Sequence, residues 1–209
     1  MGLARLIVAC VAGLAIGVGG RASAAQPRAP RDPALRAELL RRMARDQAVR
    51  DTAVAAMQRG GAPDSALVAR MAAVDADNTA WVARVLGRGR WPGRSAVGED
   101  GAGAAFLLVQ HADRDTALQA RALRLLEAAH RAGEASGQDL ALLTDRVAVA
   151  RHRPQVYGTQ ADLKDGRVVL APIADSARVD ARRAAAGLPP LREYVRMLDS
   201  LYTPAGQRR

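Results

Sequence analysis

The strongest candidates for chemistry in this 209-residue chain are polar side chains that interrupt apolar helical stripes. At about 100° per residue, the first predicted helix places Asp46, Gln47 and Arg50 among its apolar residues, and the second does the same with Asp75 and Asn78. A polar group buried without a partner costs about 1–3 kcal/mol. We therefore expect these five side chains to face inward, where they either form an internal hydrogen-bond network or line a ligand-binding cleft.

A histidine ends the apolar segment GAGAAFLLVQHA, residues 101–112. Apolar surroundings shift the pKa of an imidazole, as a general acid or base requires. His111 is therefore a candidate general base, with Asp75 or Asp113 as the carboxylate that orients it. Alternatively, His111 bonds a carbonyl at the helix end and Asp113 caps the next helix.

A second group of hydrogen-bonding residues lies in RPQVYGTQADLKDG, residues 153–166. Only six residues of the whole chain are aromatic, yet Gln155, Tyr157, Thr159 and Gln160 fall within six positions. These four side chains are predicted either to line a ligand cleft or to bond the helix ends beneath them.

The Asp-Gly pair at 165–166 lies between two β-rich runs and predicts a two-residue hairpin turn. The expected register pairs Leu163 with Val168, Ala161 with Leu170 and Thr159 with Pro172. Such a hairpin must pack on the helices because it is not stable alone.

The remaining segments carry helical periodicity and predict a mainly α fold, a single compact multi-helix domain with one β-hairpin near residues 155–173. The expected caps are Asp32, Asp64, Asp113 or Asp115, and Ser136. Short helices are expected from Asp175 to Gly187 and from Pro190 onward.

The chain begins with Arg5, a 13-residue apolar run and small residues, which is the pattern of a secretory signal peptide. Cleavage near Ala24 or Ala25 would leave a secreted or periplasmic chain with no membrane span. We expect a linker at 25–31, the domain at 32–202 and a flexible tail at 203–209. The oligomeric state is not predicted.

No cofactor or metal site is predicted. The single cysteine, Cys10, lies inside the signal peptide, and no pair of histidines has metal-ligand spacing. GAGAAF imitates a dinucleotide-binding loop, but no strand precedes it.

One basic segment, RVLGRGRWPGRSAVG, places Arg84, Arg88, Arg90 and Arg94 around Trp91, and no acid occurs between Asp77 and Glu99. Arginine suits planar anionic groups and tryptophan stacks on rings. The alternative is an arginine-rich loop held by one buried tryptophan. Nucleic acid is not an expected partner, since no binding motif is present.

The motifs VGEDGAGAAFLLVQHAD, RPQVYGTQ and PIADSARVDARRAAAGLPPLREY, with DADN and WP upstream, resemble a bacterial family known only as domain of unknown function 6624. The resemblance covers about residues 38–200. It supports the domain limits and implies no catalytic residue.

Three functions follow as hypotheses. In the first, helices one to three and the YGTQ strand form a cleft that binds a small polar or anionic ligand, for which the bacterial cell wall is one source. In the second, the protein is a hydrolase with His111 as general base. In the third, it is a structural or partner-binding module without a cleft.

Overall fold

The computed structural model describes residues 29–164 and 167–202 and confirms the predicted fold class. Within that part of the chain there are seven α-helices and one two-stranded antiparallel sheet. The elements are α1 (Pro33–Gln58), α2 (Ser65–Leu86), α3 (Arg94–Gln110), α4 (Thr116–Arg131), α5 (Gly137–Ala150), β1 (Ala161–Lys164), β2 (Arg167–Leu170), α6 (Val179–Ala185) and α7 (Leu191–Tyr202).

Four helices begin at side-chain caps in positions that the sequence indicates. Asp32, Asp64 and Asp115 accept hydrogen bonds of 2.7–2.9 Å from the backbone N–H three residues later, and Ser136 accepts one of 3.0 Å. Each cap supplies an acceptor to an N–H that has no partner inside the helix.

The central helix α3 begins earlier than the apolar run predicts, at Arg94 instead of residue 101. Gly98, with φ of 77°, interrupts the helical conformation between the two parts. The second part is buried on nearly every side, from Gly101 to Gln110, and packs against α1, α2, α4 and α5. The end of α3 is therefore placed inside the domain, together with the histidine that follows it.

The hairpin confirms two of the three predicted pairs, Ala161 with Leu170 and Leu163 with Val168. Thr159 does not pair with Pro172. The backbone N–H of Thr159 donates instead to the carboxylate of Asp145, 2.9 Å away, so the strand begins only at Ala161. The predicted turn, Asp165 and Gly166, lies outside the described residues.

A second core joins the two ends of the domain. Tyr194, Leu198 and Tyr202 of α7 pack on Met57 near the end of α1, and Leu163 of the hairpin lies against them. Gln58 Nε2 donates to the carbonyl of Leu201 at 3.4 Å. The last helix therefore holds both the first helix and the hairpin.

The predicted signal peptide and the predicted tail lie outside the described residues. Within the described part, none of the helices combines the length and apolarity needed to cross a membrane.

Candidate functional site

Four of the predicted site residues form one buried cluster, to which α1, α2 and the end of α3 contribute. His111 Nδ1 lies 2.8 Å from Asp46 Oδ2 and 2.9 Å from Arg50 Nε, and Arg50 Nη2 lies 2.5 Å from Asp75 Oδ1. Asp46 is 1 % exposed, His111 4 % and Arg50 5 %. The cluster reaches the surface through Asp75, whose side chain is 17 % exposed.

His111 Nδ1 lies between a hydrogen-bond acceptor, Asp46, and a hydrogen-bond donor, Arg50. An unprotonated Nδ1 accepts from Arg50 Nε–H, 2.9 Å away, whereas a protonated Nδ1 donates to Asp46 Oδ2, 2.8 Å away. Arg50 Nε–H donates to the same oxygen, 3.2 Å away. When Nδ1–H donates to Asp46, the lone pair of the neutral ring is on Nε2, the arrangement in which a carboxylate orients a histidine base.

The cluster moves three pKa values in different directions. Burial lowers the pKa of His111 and outweighs the hydrogen bond with the Asp46 carboxylate, which raises it. Burial alone would raise the pKa of the Asp46 carboxyl, but His111 and Arg50 together hold it below its usual value. Burial also raises the pKa of Asp75 to about 6, despite the opposing charge of Arg50. Asp46 and Asp75 both contact the Arg50 guanidinium, yet their pKa values shift in opposite directions, as those of catalytic acid–base pairs do.

The other two predicted residues of these helices differ in their surroundings. Gln47 Nε2 donates to Asp46 Oδ2 at 2.9 Å and belongs to the cluster. Asn78 instead accepts a hydrogen bond of 3.1 Å from Arg42, whose guanidinium stacks 4.7 Å from the ring centre of Trp81. Asn78 is therefore part of a separate contact between α1 and α2.

The residues of the PQVYGTQ segment collect around a carboxylate that our sequence analysis missed. Asp145 of α5 has no exposed surface. Its two oxygens accept hydrogen bonds of 2.7–3.1 Å from the backbone N–H groups of Val156, Tyr157 and Thr159, and one of 3.0 Å from the Thr159 hydroxyl. The segment is folded around this buried charge.

Gln155 and Gln160 hold the same segment to the hairpin. The buried Gln155 side chain donates to the carbonyls of Gln160 and Ala171 and accepts from the Gln160 N–H at 2.7 Å. The Gln160 side chain is partly buried and donates to the Thr159 hydroxyl at 3.0 Å. Gln155 therefore bonds only other residues of the domain, whereas Gln160 also lines a cavity next to Arg146.

Arg183 of α6 closes the segment from the other side. It is fully buried, donates to the carbonyls of Tyr157 and Pro189 at 2.7 Å, and lies 4.8 Å from the ring centre of Tyr194. The Tyr194 hydroxyl donates to the Thr159 carbonyl at 2.8 Å. Burial raises the pKa of Tyr194 to about 12, so this donor keeps its proton.

A cavity of about 340 Å³ lies beside Gln160 and the start of the hairpin. Its wall includes Asp113 from the turn before α4, Thr116 and Gln119 from α4, Arg146 from α5 and Gln160 just before β1. Asp113 follows His111 by two residues and Arg146 follows Asp145, so each cluster contributes a neighbouring residue to the wall. Asp113 pairs with Arg146 Nη1, and Asp115 caps α4.

A signal for the missed pair was present in the sequence. LLTDRVAV in α5 is apolar except for a threonine and adjacent Asp145 and Arg146, and both charged residues are buried. The same test that selected Asp46 and Asp75 would have selected them, because Ala141, Asp145 and Ala148 share one helical face.

No group of three or more metal-ligating side chains occurs among residues 29–164 and 167–202. The model of DUF6624, a family of unknown function, matches residues 33–205. No curated protein and no solved structure matches the chain.

Replacing Asp145 with asparagine tests the inner anchor. The amide would turn an NH₂ group toward backbone N–H donors and remove the charge that they stabilise, so the free energy of unfolding should fall by about 2–4 kcal/mol. Urea melts measure it. Asp51→Asn, an exposed position on α1, should stay within about 0.5 kcal/mol of the parent. Equal melts for Asp145→Asn and the parent would contradict this role.

Proposed function

Because the chain belongs to the DUF6624 family, whose function is unknown, the proposal must come from its own side chains: we propose that it binds a small polar ligand with an anionic group. The site is the cavity between α4, α5 and the hairpin. This keeps the ligand-binding function predicted from the sequence and moves its centre from Asp46 and Asp75 to Arg146.

The observation that supports the proposal is the state of the Arg146 guanidinium. Arg146 is 8 % exposed, and its Nε and Nη2 are buried without a hydrogen-bond partner among the described residues. Its one ion-pair partner there, Asp113, has a side chain that is 38 % exposed. A buried charge needs more compensation than one half-exposed carboxylate supplies, and a ligand anion would provide it.

The rest of the wall indicates the size and character of the ligand. Thr116, Gln119 and Gln160 bring hydroxyl and amide groups, and Asp162 adds a carboxylate. A volume of about 340 Å³ is at the small end of ligand pockets. These features favour a small molecule that carries one anionic group for Arg146 and several hydroxyl or amide N–H donors for Asp162, Thr116 and Gln160, such as an acidic amino sugar derived from the cell wall.

A second candidate function is hydrolysis with His111 as general base, and one specific contact favours it. Asp46 Oδ2 lies 2.8 Å from His111 Nδ1, and both side chains are buried. The orienting carboxylate is then Asp46, with Asp75 as a nearby group of raised pKa. A histidine of lowered pKa is neutral at pH 7, as a base must be.

Export of the chain, with residues 1–24 removed, is part of the proposal. The support is the order of charge, apolar run and small residues. Mass spectrometry of periplasmic and secreted material should find an N-terminus at Ala25 or Gln26. An uncleaved chain confined to the cytoplasm would contradict export.

Ligand binding should depend on the planar guanidinium group of Arg146. Calorimetric titration with N-acetylmuramic acid and muramyl dipeptide, with N-acetylglucosamine as the uncharged comparison, measures the affinity. Arg146→Lys keeps the charge but loses the planar fork, so binding should weaken about tenfold or more. Gln160→Ala should also weaken binding while the free energy of unfolding changes by less than about 1 kcal/mol.

The matched control for that titration is Arg131→Gln, which removes one exposed positive charge away from the cavity. Its affinity should equal that of the parent. A parent that binds neither acidic compound, or a control that weakens binding as much as Arg146→Lys, would remove the proposal.

The hydrolase candidate predicts a rate loss at His111. On any nitrophenyl ester or muramyl peptide that the parent cleaves, His111→Gln should lower kcat by about 10²–10⁴. Because the folded pKa of His111 lies below its usual 6.5, the base form is present above that pKa, and the rate should rise with pH and level off before pH 7. His130→Gln, at an exposed histidine, should leave the rate unchanged. Absence of cleavage by the parent would exclude this function for these substrates.

A further inference from the structure

Trp91 lies between two cavities at the other end of α4. One, of about 340 Å³, has Arg31, Leu35, Arg88 and Trp91 in its wall. The other, of about 290 Å³, shares Arg31 and Trp91 and reaches Ala128 of α4. Thr116, in the wall of the Arg146 cavity, precedes Ala128 by twelve residues, or about 18 Å of helix. The Trp91 cavities are therefore a different place on the molecule.

The walls carry more positive than negative charge. Arg31, Arg88 and Arg90 face one aspartate, Asp32, around the larger cavity. The Asp32 carboxylate accepts the Leu35 N–H at 2.9 Å as a helix cap. One oxygen of this carboxylate is therefore occupied by the backbone. Three arginines and one aspartate give the cavity wall a net charge of about +2 at neutral pH.

The other two arginines of this wall, Arg88 and Arg90, are available to a ligand. Arg88 and Arg90 are exposed, and their side chains form no hydrogen bond or ion pair with any residue in the described ranges. Arg31, by contrast, is fixed by its bonds to Ser95. The cavity therefore combines a fixed guanidinium with two that are available to a ligand, and guanidinium forks match carboxylate and phosphate oxygens.

The tryptophan supplies both an apolar wall and a donor. Trp91 is 6 % exposed and packs in the main core, so its ring is held in place. Its indole Nε1 is buried and has no acceptor among the described residues. Leu35 and Val85 add apolar surface beside it. A buried indole N–H normally has a partner, and a ligand oxygen would provide one.

We propose that the cavity beside Trp91 binds a small organic anion, a carboxylate or phosphate carried on an apolar ring. Arg88 and Arg90 contact the anionic group, and Trp91 with Leu35 contacts the ring. This site is separate from the Arg146 cavity, so either can exist without the other.

Tryptophan fluorescence gives a direct test, because the chain has two tryptophans and Trp81→Phe leaves Trp91 as the single reporter. The purified Trp81→Phe protein is titrated with phenyl phosphate, with benzoate and with benzyl alcohol as the uncharged ring. Both anions should give saturable changes, and benzyl alcohol should bind at least about tenfold more weakly. The two anions together show which oxyanion the site prefers.

The matched variants locate the binding. Arg88→Gln and Arg90→Gln should each raise Kd about five- to tenfold. Arg84→Gln removes the same charge from the last turn of α2 but lines neither cavity, and its Kd should stay within about twofold. Perturbation of the Trp91 indole N–H resonance in ¹H–¹⁵N spectra gives a second readout. No saturable change with either anion, equal binding of benzyl alcohol, or an equal loss in Arg84→Gln would overturn the proposal.

Discussion

The carboxyl-terminal third of the molecule depends on the carboxylate of Asp145, which is fully buried in the domain. Backbone amides surround it, so the 155–160 segment must wrap around α5 to supply them. That wrapping leaves the carbonyl of Tyr157 facing Arg183, and the carbonyl of Thr159 facing Tyr194. One buried negative charge thereby determines where the hairpin starts and how α6 and α7 dock.

The amino-terminal helices solve the same problem differently. The buried stripe of α1 includes Arg42, Asp46 and Arg50 as well as apolar residues, and each charged group there meets an opposite charge on its own helix or on α2. Breaking a buried pair costs more than the pair contributes, because the remaining charge is left without compensation. These contacts therefore specify how α1, α2 and the end of α3 fit together, and they partly offset the shifts that burial imposes on the pKa values of Asp75 and His111.

Local signals made much of the fold predictable. Capping residues and apolar periodicity predicted where the helices lie, and the Asp-Gly pair predicted the register of the hairpin. These signals are readable because they depend only on residues that are close in sequence. Asp46, Arg50 and Asp75 were predicted to face inward for the same reason, since the helical period reveals a polar residue on an apolar stripe. The helical period also marks Asp145 as a polar residue on an apolar face, but it does not reveal the partners of Asp145, since these are backbone amides, which every residue carries. The predicted pair of Thr159 with Pro172 was wrong because the Thr159 N–H bonds the carboxylate of Asp145, which is distant in sequence.

The contact between the first and last helices has a consequence for how the chain closes on itself. Gln58 and Leu201 are 143 residues apart in sequence, yet they bond directly. Bringing such distant segments together costs about 4 kcal/mol of loop entropy, and this cost grows only slowly with length. Met57, Tyr194 and Leu198 bury apolar surface at this junction, which offsets that cost. During synthesis the end of α1 can contact its last partner only after residues 191–202 have left the ribosome.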